Sequence, residues 1–184
     1  MKKKILFQTK GKTVVFIDAA NIELSAKDLG FKIDYKKLAE LLHKQGKVVY
    51  LGFYTVRFAN KGHDKFLTML KKSGYKLITK PMKIIKNRDK KLGDIRKANF
   101  DVEIAVDAIK MLTKFKTVIL FSGDSDFNYL IKELRKFGKT AIVISLKHHI
   151  AKELIKSANY YFDLRKIREL ISRSQKSPSF TTGG

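Results

Sequence analysis

Cysteine is absent from the 184 residues, which excludes disulfides, thiolate metal sites and cysteine nucleophiles. That absence fits a reducing compartment, and a cytoplasmic location is expected. No stretch reaches the ~18 consecutive apolar residues of a membrane span. The basic N-terminus, "MKKKILFQTKGKT", has only "ILF" as its apolar centre, too short for a secretory signal. No G-x-x-x-x-G-K phosphate loop occurs, so a nucleoside-triphosphate switch is not expected. The segment "DAANIE" lacks the glycines of a dinucleotide-binding turn, and "SGDSDF" lacks the flanking spacing of an EF-hand loop. His43, His63, His148 and His149 have no acid or serine at a telling spacing and read as surface residues.

Acidic residues are scarce: 17 Asp+Glu stand against 40 Lys+Arg, for a net charge of +23. A charge excess of this size repels itself and calls for a polyanion. Nucleic acid is the favoured partner, ahead of an anionic membrane surface or a lysine bias of the kind seen in heat-loving organisms. With 44% hydrophobic and 31% charged residues, the composition is that of a globular chain. One domain over residues 1–174 is expected, followed by a flexible tail, "QKSPSFTTGG", at 175–184.

Six β-branched or aromatic runs read as strands: 13–18, 47–56, 75–79, 117–122, 140–145 and a weaker 159–164. Helical patterns lie between them at 34–46, 62–74, 101–115, 125–138 and 149–158, with a last one at 164–174. Alternation of this kind predicts an α/β fold, a Rossmann-like parallel sheet with helices on both faces. The segment "ELIKSANYYFDLRKIRELI" has a periodicity that serves equally to pack on the sheet or on a second subunit, so a homodimer is one option. Residues 80–97 carry eight Lys/Arg and two Asp and read as a basic binding loop.

Two carboxylates, Asp124 and Asp126, follow the fourth strand, and Asp18 ends the first. In a doubly wound sheet these strand ends share one crevice. Counting about 100° per residue along 101–115 puts Val102, Ala105, Ile109 and Leu112 on the buried face, with Asp101 at its edge. Glu103 and Asp107 fall on the opposite, solvated side. Two carboxylates ~5 Å apart repel by about 3 kcal/mol at an effective dielectric near 20. Several of them together need protons or a cation, and an oxygen-only set without Cys or paired His selects Mg²⁺ or Mn²⁺. Asn21 and Ser122 stand beside Asp18 and Asp124, where they serve either the site or the local turns.

Four pieces then stand in order: "FIDAAN", "KANFDVEIAVDAI", "LFSGDSDF" and "ANYYFDL". Together they resemble the NYN-domain family, a branch of the PIN-like nuclease superfamily, over about residues 12–165. The resemblance implies a PIN-like sheet of order 3-2-1-4-5 and a metal-dependent ribonuclease. Its acids match Asp18, Asp101, Asp124 and Asp126, and Asn21 matches the Asn after the first strand. Asp107 matches a second helix Asp, which the helical wheel leaves outside the site. The chain departs from the family in "KANFD", where Lys97 precedes Asp101 without the usual glycine, and at Asn159, where Asp is common.

The resulting expectation is a Mg²⁺- or Mn²⁺-dependent endoribonuclease. Asp18 and Asp124 bind the main ion, Asp101 completes that site or holds a second ion, and Asp126 orders a metal-bound water or supports Asp124. Lys83, Lys86, Arg88, Lys90, Lys91, Arg96 and Lys97, with Arg57, hold flanking phosphates without reading sequence. Phe58 and Met82 are candidates to touch bases. The competing expectation is an RNA-binding module of the same fold whose acids do not catalyse. A phosphatase of small phosphoesters leaves the excess of Lys and Arg unexplained.

Overall fold

The computed structural model describes residues 6–81, 83–85, 95–97 and 99–173. In chain order the strands are β1 (Lys12–Asp18), β2 (Lys47–Arg57), β3 (Lys76–Pro81), β4 (Lys83–Ile85), β5 (Ile95–Lys97), β6 (Thr117–Phe121), β7 (Thr140–Ser145) and β8 (Tyr160–Asp163). The helices are α1 (Ala19–Asp28), α2 (Tyr35–Gln45), α3 (Lys61–Lys72), α4 (Asp101–Lys110), α5 (Asn128–Lys136), α6 (Lys152–Ser157) and α7 (Arg168–Ile171).

Six strands form one parallel sheet in the order β3-β2-β1-β6-β7-β8. This is the expected α/β arrangement, with the weak run at 159–164 added as a sixth, edge strand. Strands β1 and β6 lie at its centre, and β6 has no exposed side chain. Burial on both faces explains why these runs read as continuous apolar stretches rather than alternating ones. Successive residues still serve opposite faces. Val15, Ile17, Ile119 and Phe121 pack with Ile22, Leu38, Leu42 and Leu70 on one side. Val14, Phe16, Val118 and Leu120 pack with Ile104, Ala108, Ile131 and Leu134 on the other. Each such side chain contributes about 1.5–3 kcal/mol by its burial.

The chain winds outward from β1 to β3 and then returns to β6, next to β1, so the direction of winding reverses between β1 and β6. Ligands of open α/β sheets bind in the crevice beyond the strand ends at that reversal.

Several elements differ from the sequence reading. Helix α1 was not anticipated. Its inward face is Ala19, Ile22, Ser25 and Ala26, mostly small residues with a buried hydroxyl, which gives a weak apolar signal. Residues 125–138 begin as a 3-10 turn, Ser125–Phe127, before α5. The helix expected at 164–174 is a 3-10 turn, Leu164–Ile167, continued by α7, and 149–158 is helical only over α6. Leu164, Ile167 and Ile171 join the core of their own chain, so this segment packs on its own sheet.

The basic stretch expected to be a loop contains an antiparallel pair, β4 with β5, in which Lys83 faces Lys97 and Ile85 faces Ile95. The β-branched Ile84, Ile85 and Ile95 favour extended backbone there. Met82, Lys86, Arg88, Lys90 and Lys91 lie outside the described residues, as do 175–184. No helix among the described residues is long and apolar enough to cross a membrane.

Candidate active site

Asp18 ends β1 and caps α1, its Oδ1 accepting a 3.4 Å hydrogen bond from the Asn21 backbone N–H. An extended Asp at this position satisfies one of the free N–H groups of the first helical turn. The pairing of β1 with β6 aligns Ile17 with Phe121, which brings the next residue, Ser122, beside Asp18. The Ser122 hydroxyl donates to Asp18 Oδ2 at 3.2 Å and accepts from the Asp124 N–H at 3.2 Å. Asn21 Oδ1 accepts from the Gly123 N–H at 3.0 Å. Asn21 and Ser122 thus tie the start of α1 to the loop after β6.

Burial pushes the Asp18 carboxyl up to about 6; Asn21 and Ser122 pull it down, while the nearby Asp101 and Asp124 charges raise it. Asp124 caps the 3-10 turn by accepting from the Asp126 N–H at 3.1 Å. Asp101 opens α4, with its N–H donated to Asn99 Oδ1 at 2.8 Å. Its carboxyl is raised by burial and by the charges of Asp124, Asp126 and Glu103, against a lowering by Asn99.

Asp101, Asp124 and Asp126 each offer an oxygen within 4.8 Å of the other two. Asp18 is not a member of that close set; it is hydrogen-bonded to the Ser122 hydroxyl and the Asn21 backbone N–H. Asp101 Oδ2 is buried and has no hydrogen-bond partner among the described residues. A buried carboxylate oxygen without a donor costs free energy that a cation would offset. Three acids of one sign, oxygen-only donors and an orphaned oxygen together fit a hard divalent ion.

The wheel drawn from the sequence placed the buried face of α4 wrongly. Val102 is 73% exposed and Ile109 47%, whereas Ile104 and Ala108 are fully buried. Apolar residues run around most of α4, so spacing alone does not choose a face. The burial of Phe100, just before the helix, fixes it. Asp101 borders both faces and keeps its place at the site. Glu103 and Asp107 are half-buried rather than solvated. Asp107 accepts from the Tyr54 hydroxyl at 2.8 Å and from Tyr50 at 3.5 Å, away from the acid set. Glu103 accepts from Lys80 Nζ at 2.7 Å; burial raises its carboxyl, but that bond, a backbone hydrogen bond and the Lys80 charge together hold it below the usual range.

Lys80, not singled out from the sequence, contacts this helix start through Glu103; its Nζ also lies 4.5 Å from the Phe100 ring centroid. The backbones of Lys83, Arg96 and Lys97 belong to the β4–β5 pair. Arg57 is exposed and pairs loosely with Asp64 at 3.5 Å.

His149 corrects another reading, because it has both partners the sequence spacing hid. Its Nδ1 lies 3.1 Å from Ser25 Oγ and its Nε2 2.7 Å from Asp28 Oδ2, across more than a hundred residues. Ser25 is fully buried, so this Ser–His–Asp arrangement braces α1 rather than exposing a nucleophile. Asn159, where the family often has Asp, accepts from the Ala141 N–H at 2.8 Å and caps the sheet edge.

A family model described as "NYN domain" matches residues 12–168. The "Low amplitude and bright protein LabA" of Synechococcus elongatus is 26% identical over 170 residues, covering 91% of each chain. A crystal structure of a protein of unknown function from Vibrio parahaemolyticus superposes with a TM-score of 0.72 at 24% identity, covering 86% of this chain and 96% of that one. That likeness concerns the fold alone.

Proposed function

Because the chain belongs to the NYN domain family, with its PIN-like nuclease fold, we propose that it is a metal-dependent endoribonuclease. The observation that carries this reading is the set Asp101, Asp124 and Asp126, with oxygens within 4.8 Å of one another, together with the buried Asp101 Oδ2 that has no donor among the described residues.

In this reading Asp101 and Asp124 hold a Mg²⁺ or Mn²⁺ ion, joined by Asp18 and Asp126. When bound, the ion supplies charge neutralisation at a phosphoryl group and a nucleophile from water at neutral pH. Ser122 orients Asp18 and Asp124 at once, because its hydroxyl donates to one and accepts from the backbone of the other. Asn21 fixes the Gly123 backbone and so the approach of Asp124 to the crevice. Arg57, Lys83, Lys86, Arg88, Lys90, Lys91, Arg96 and Lys97 hold flanking phosphates. Their contribution to affinity falls steeply with salt. The net charge of +23 supports a polyanionic substrate.

The test uses labelled single-stranded RNA with and without Mn²⁺, for wild type and Asp124→Asn. Metal-dependent cleavage that disappears in Asp124→Asn while binding persists is the expected result. Tight, salt-sensitive binding with no cleavage in Mg²⁺ or Mn²⁺ would instead assign the chain as a non-catalytic RNA-binding module.

A further inference from the structure

A cavity of about 360 Å³ opens at the C-terminal ends of β1 and β2. Its walls include Ala20, Tyr54, Phe58, His63, Phe66 and Phe100. It borders the acids along three routes. Ala20 follows Asp18 by two residues, Phe100 immediately precedes Asp101, and Tyr54 is the register partner of Asp18 across β1 and β2.

The wall is largely aromatic and its rings are held. Phe58 and His63 meet edge to face with centroids 5.1 Å apart, and His63 and Phe66 lie at 6.0 Å. His63 Nε2 is 3.0 Å from the Val56 carbonyl, which fixes the imidazole plane. Phe58 nevertheless remains 41% exposed, on the loop after β2. Glu23 also lines the cavity, with one carboxylate oxygen taken by the Tyr35 hydroxyl at 3.1 Å.

We propose that this cavity is a subsite for one unpaired nucleobase of the RNA strand whose neighbouring phosphate lies at the acid set. The proposal rests on the ribonuclease reading above and narrows its substrate to single strands. Single-stranded nucleic acids are held by a positive surface that tracks the phosphates and by aromatic rings on which bases stack. The volume lies within the ~300–1,000 Å³ of small-molecule pockets, enough for a flat base. A base stacked inside a duplex cannot enter without being unpaired. Glu23 accepts N–H donors from the edge of the bound base.

The experiment measures binding of a fluorescent ten-nucleotide single-stranded RNA in chelator, so no cleavage is needed. It compares wild type, Phe58→Ala and Phe58→Trp, with the same RNA made abasic at each position in turn. Circular dichroism confirms the fold, which replacement of a partly exposed Phe58 leaves intact. Phe58→Ala should weaken binding by about 5- to 150-fold, the range for loss of one base–aromatic stack, and Phe58→Trp should restore it. Removing one particular base should weaken wild type comparably and Phe58→Ala no further. Equal binding by Phe58→Ala, or equal abasic penalties in both proteins, overturns the subsite.

Addition of Mn²⁺ separates the two ideas. Cleavage by wild type with no effect of Phe58 removes the subsite and leaves the ribonuclease. Phe58-dependent binding without cleavage removes the ribonuclease and leaves the base subsite.

Discussion

Ser122 and Asp18, 104 positions apart, are joined by a 3.2 Å hydrogen bond in which the serine hydroxyl donates to Asp18 Oδ2. Ser122 is fully buried, so water does not compete for this bond. The Ser122 hydroxyl oxygen in turn accepts from the Asp124 N–H. One small side chain therefore sets the relation between two acids borne by neighbouring strand ends.

The burial of Asp18 makes stability depend on pH in the metal-free protein. Its carboxyl is raised from 3.8 to about 6, so the folded chain keeps a proton that the unfolded chain releases. The stabilisation from Asp18 is complete below about pH 4 and is lost as pH climbs through about 6, by at most about 3 kcal/mol. Urea unfolding in chelator should show Asp18→Asn gaining on wild type between about pH 4.5 and pH 7. An unchanged difference between the two proteins would contradict the burial argument.

Asp101→Asn should separate stability from cation binding. The wild-type carboxylate faces Asp124, Asp126 and Glu103 and carries an oxygen without a donor. Removing its charge should raise the metal-free melting temperature by about 2–4 °C, if about 1 kcal/mol of repulsion is relieved. Wild type should gain stability from Mg²⁺ or Mn²⁺, by about 2.7 kcal/mol at a hundredfold excess over Kd. The variant should lose most of that gain, and thermal melts with and without metal read both effects.

Gly123 is required for room rather than for an unusual backbone. A Cβ there would collide with the His149 carbonyl oxygen and lie 2.7 Å from Ser145 Oγ. Gly123→Ala should cost about 1–3 kcal/mol in denaturant unfolding, as overpacking does. Because Asp124 follows directly, RNA cleavage should fall with it. Full activity at wild-type stability would show that the 146–151 loop yields freely.

His149→Ala should weaken the brace between α1 and the loop after β7. It leaves the buried Ser25 hydroxyl without its partner, at a cost of about 1–3 kcal/mol. The exposed side of the brace, toward Asp28, contributes little. Ser25 should stay unlabelled by a serine-directed fluorophosphonate in the folded protein. Stoichiometric labelling at Ser25 would mean that the arrangement is reactive.

The sheet was legible because Val, Ile and Phe runs are long, and the acids stand at the ends of two of them. Asp18, Asp124 and Asp126 could be placed by topology alone. Helix α1 was not legible, since Ala19, Ser25 and Ala26 contribute little apolar contrast. The face of α4 was misread because Val102 and Ile109 are apolar yet exposed, and the residue that decides, Phe100, precedes the helix. The partners of His149 and Asp107 are long-range contacts, to Ser25 and Asp28 for one and to Tyr50 and Tyr54 for the other. No local spacing reports such pairs.

The position of β6 next to β1 has a consequence for synthesis. A ribosome must add Asp18, then Asp101, and finally Asp124 and Asp126 before the cluster can exist, and β1 cannot gain its second neighbour until residues 117–121 have emerged. Contacts of such sequence separation form late. A chain interrupted between residue 97 and β6 would carry the basic segment at 80–97 but not the acid set. Such a product would keep the positive charge of that segment while lacking Asp124 and Asp126.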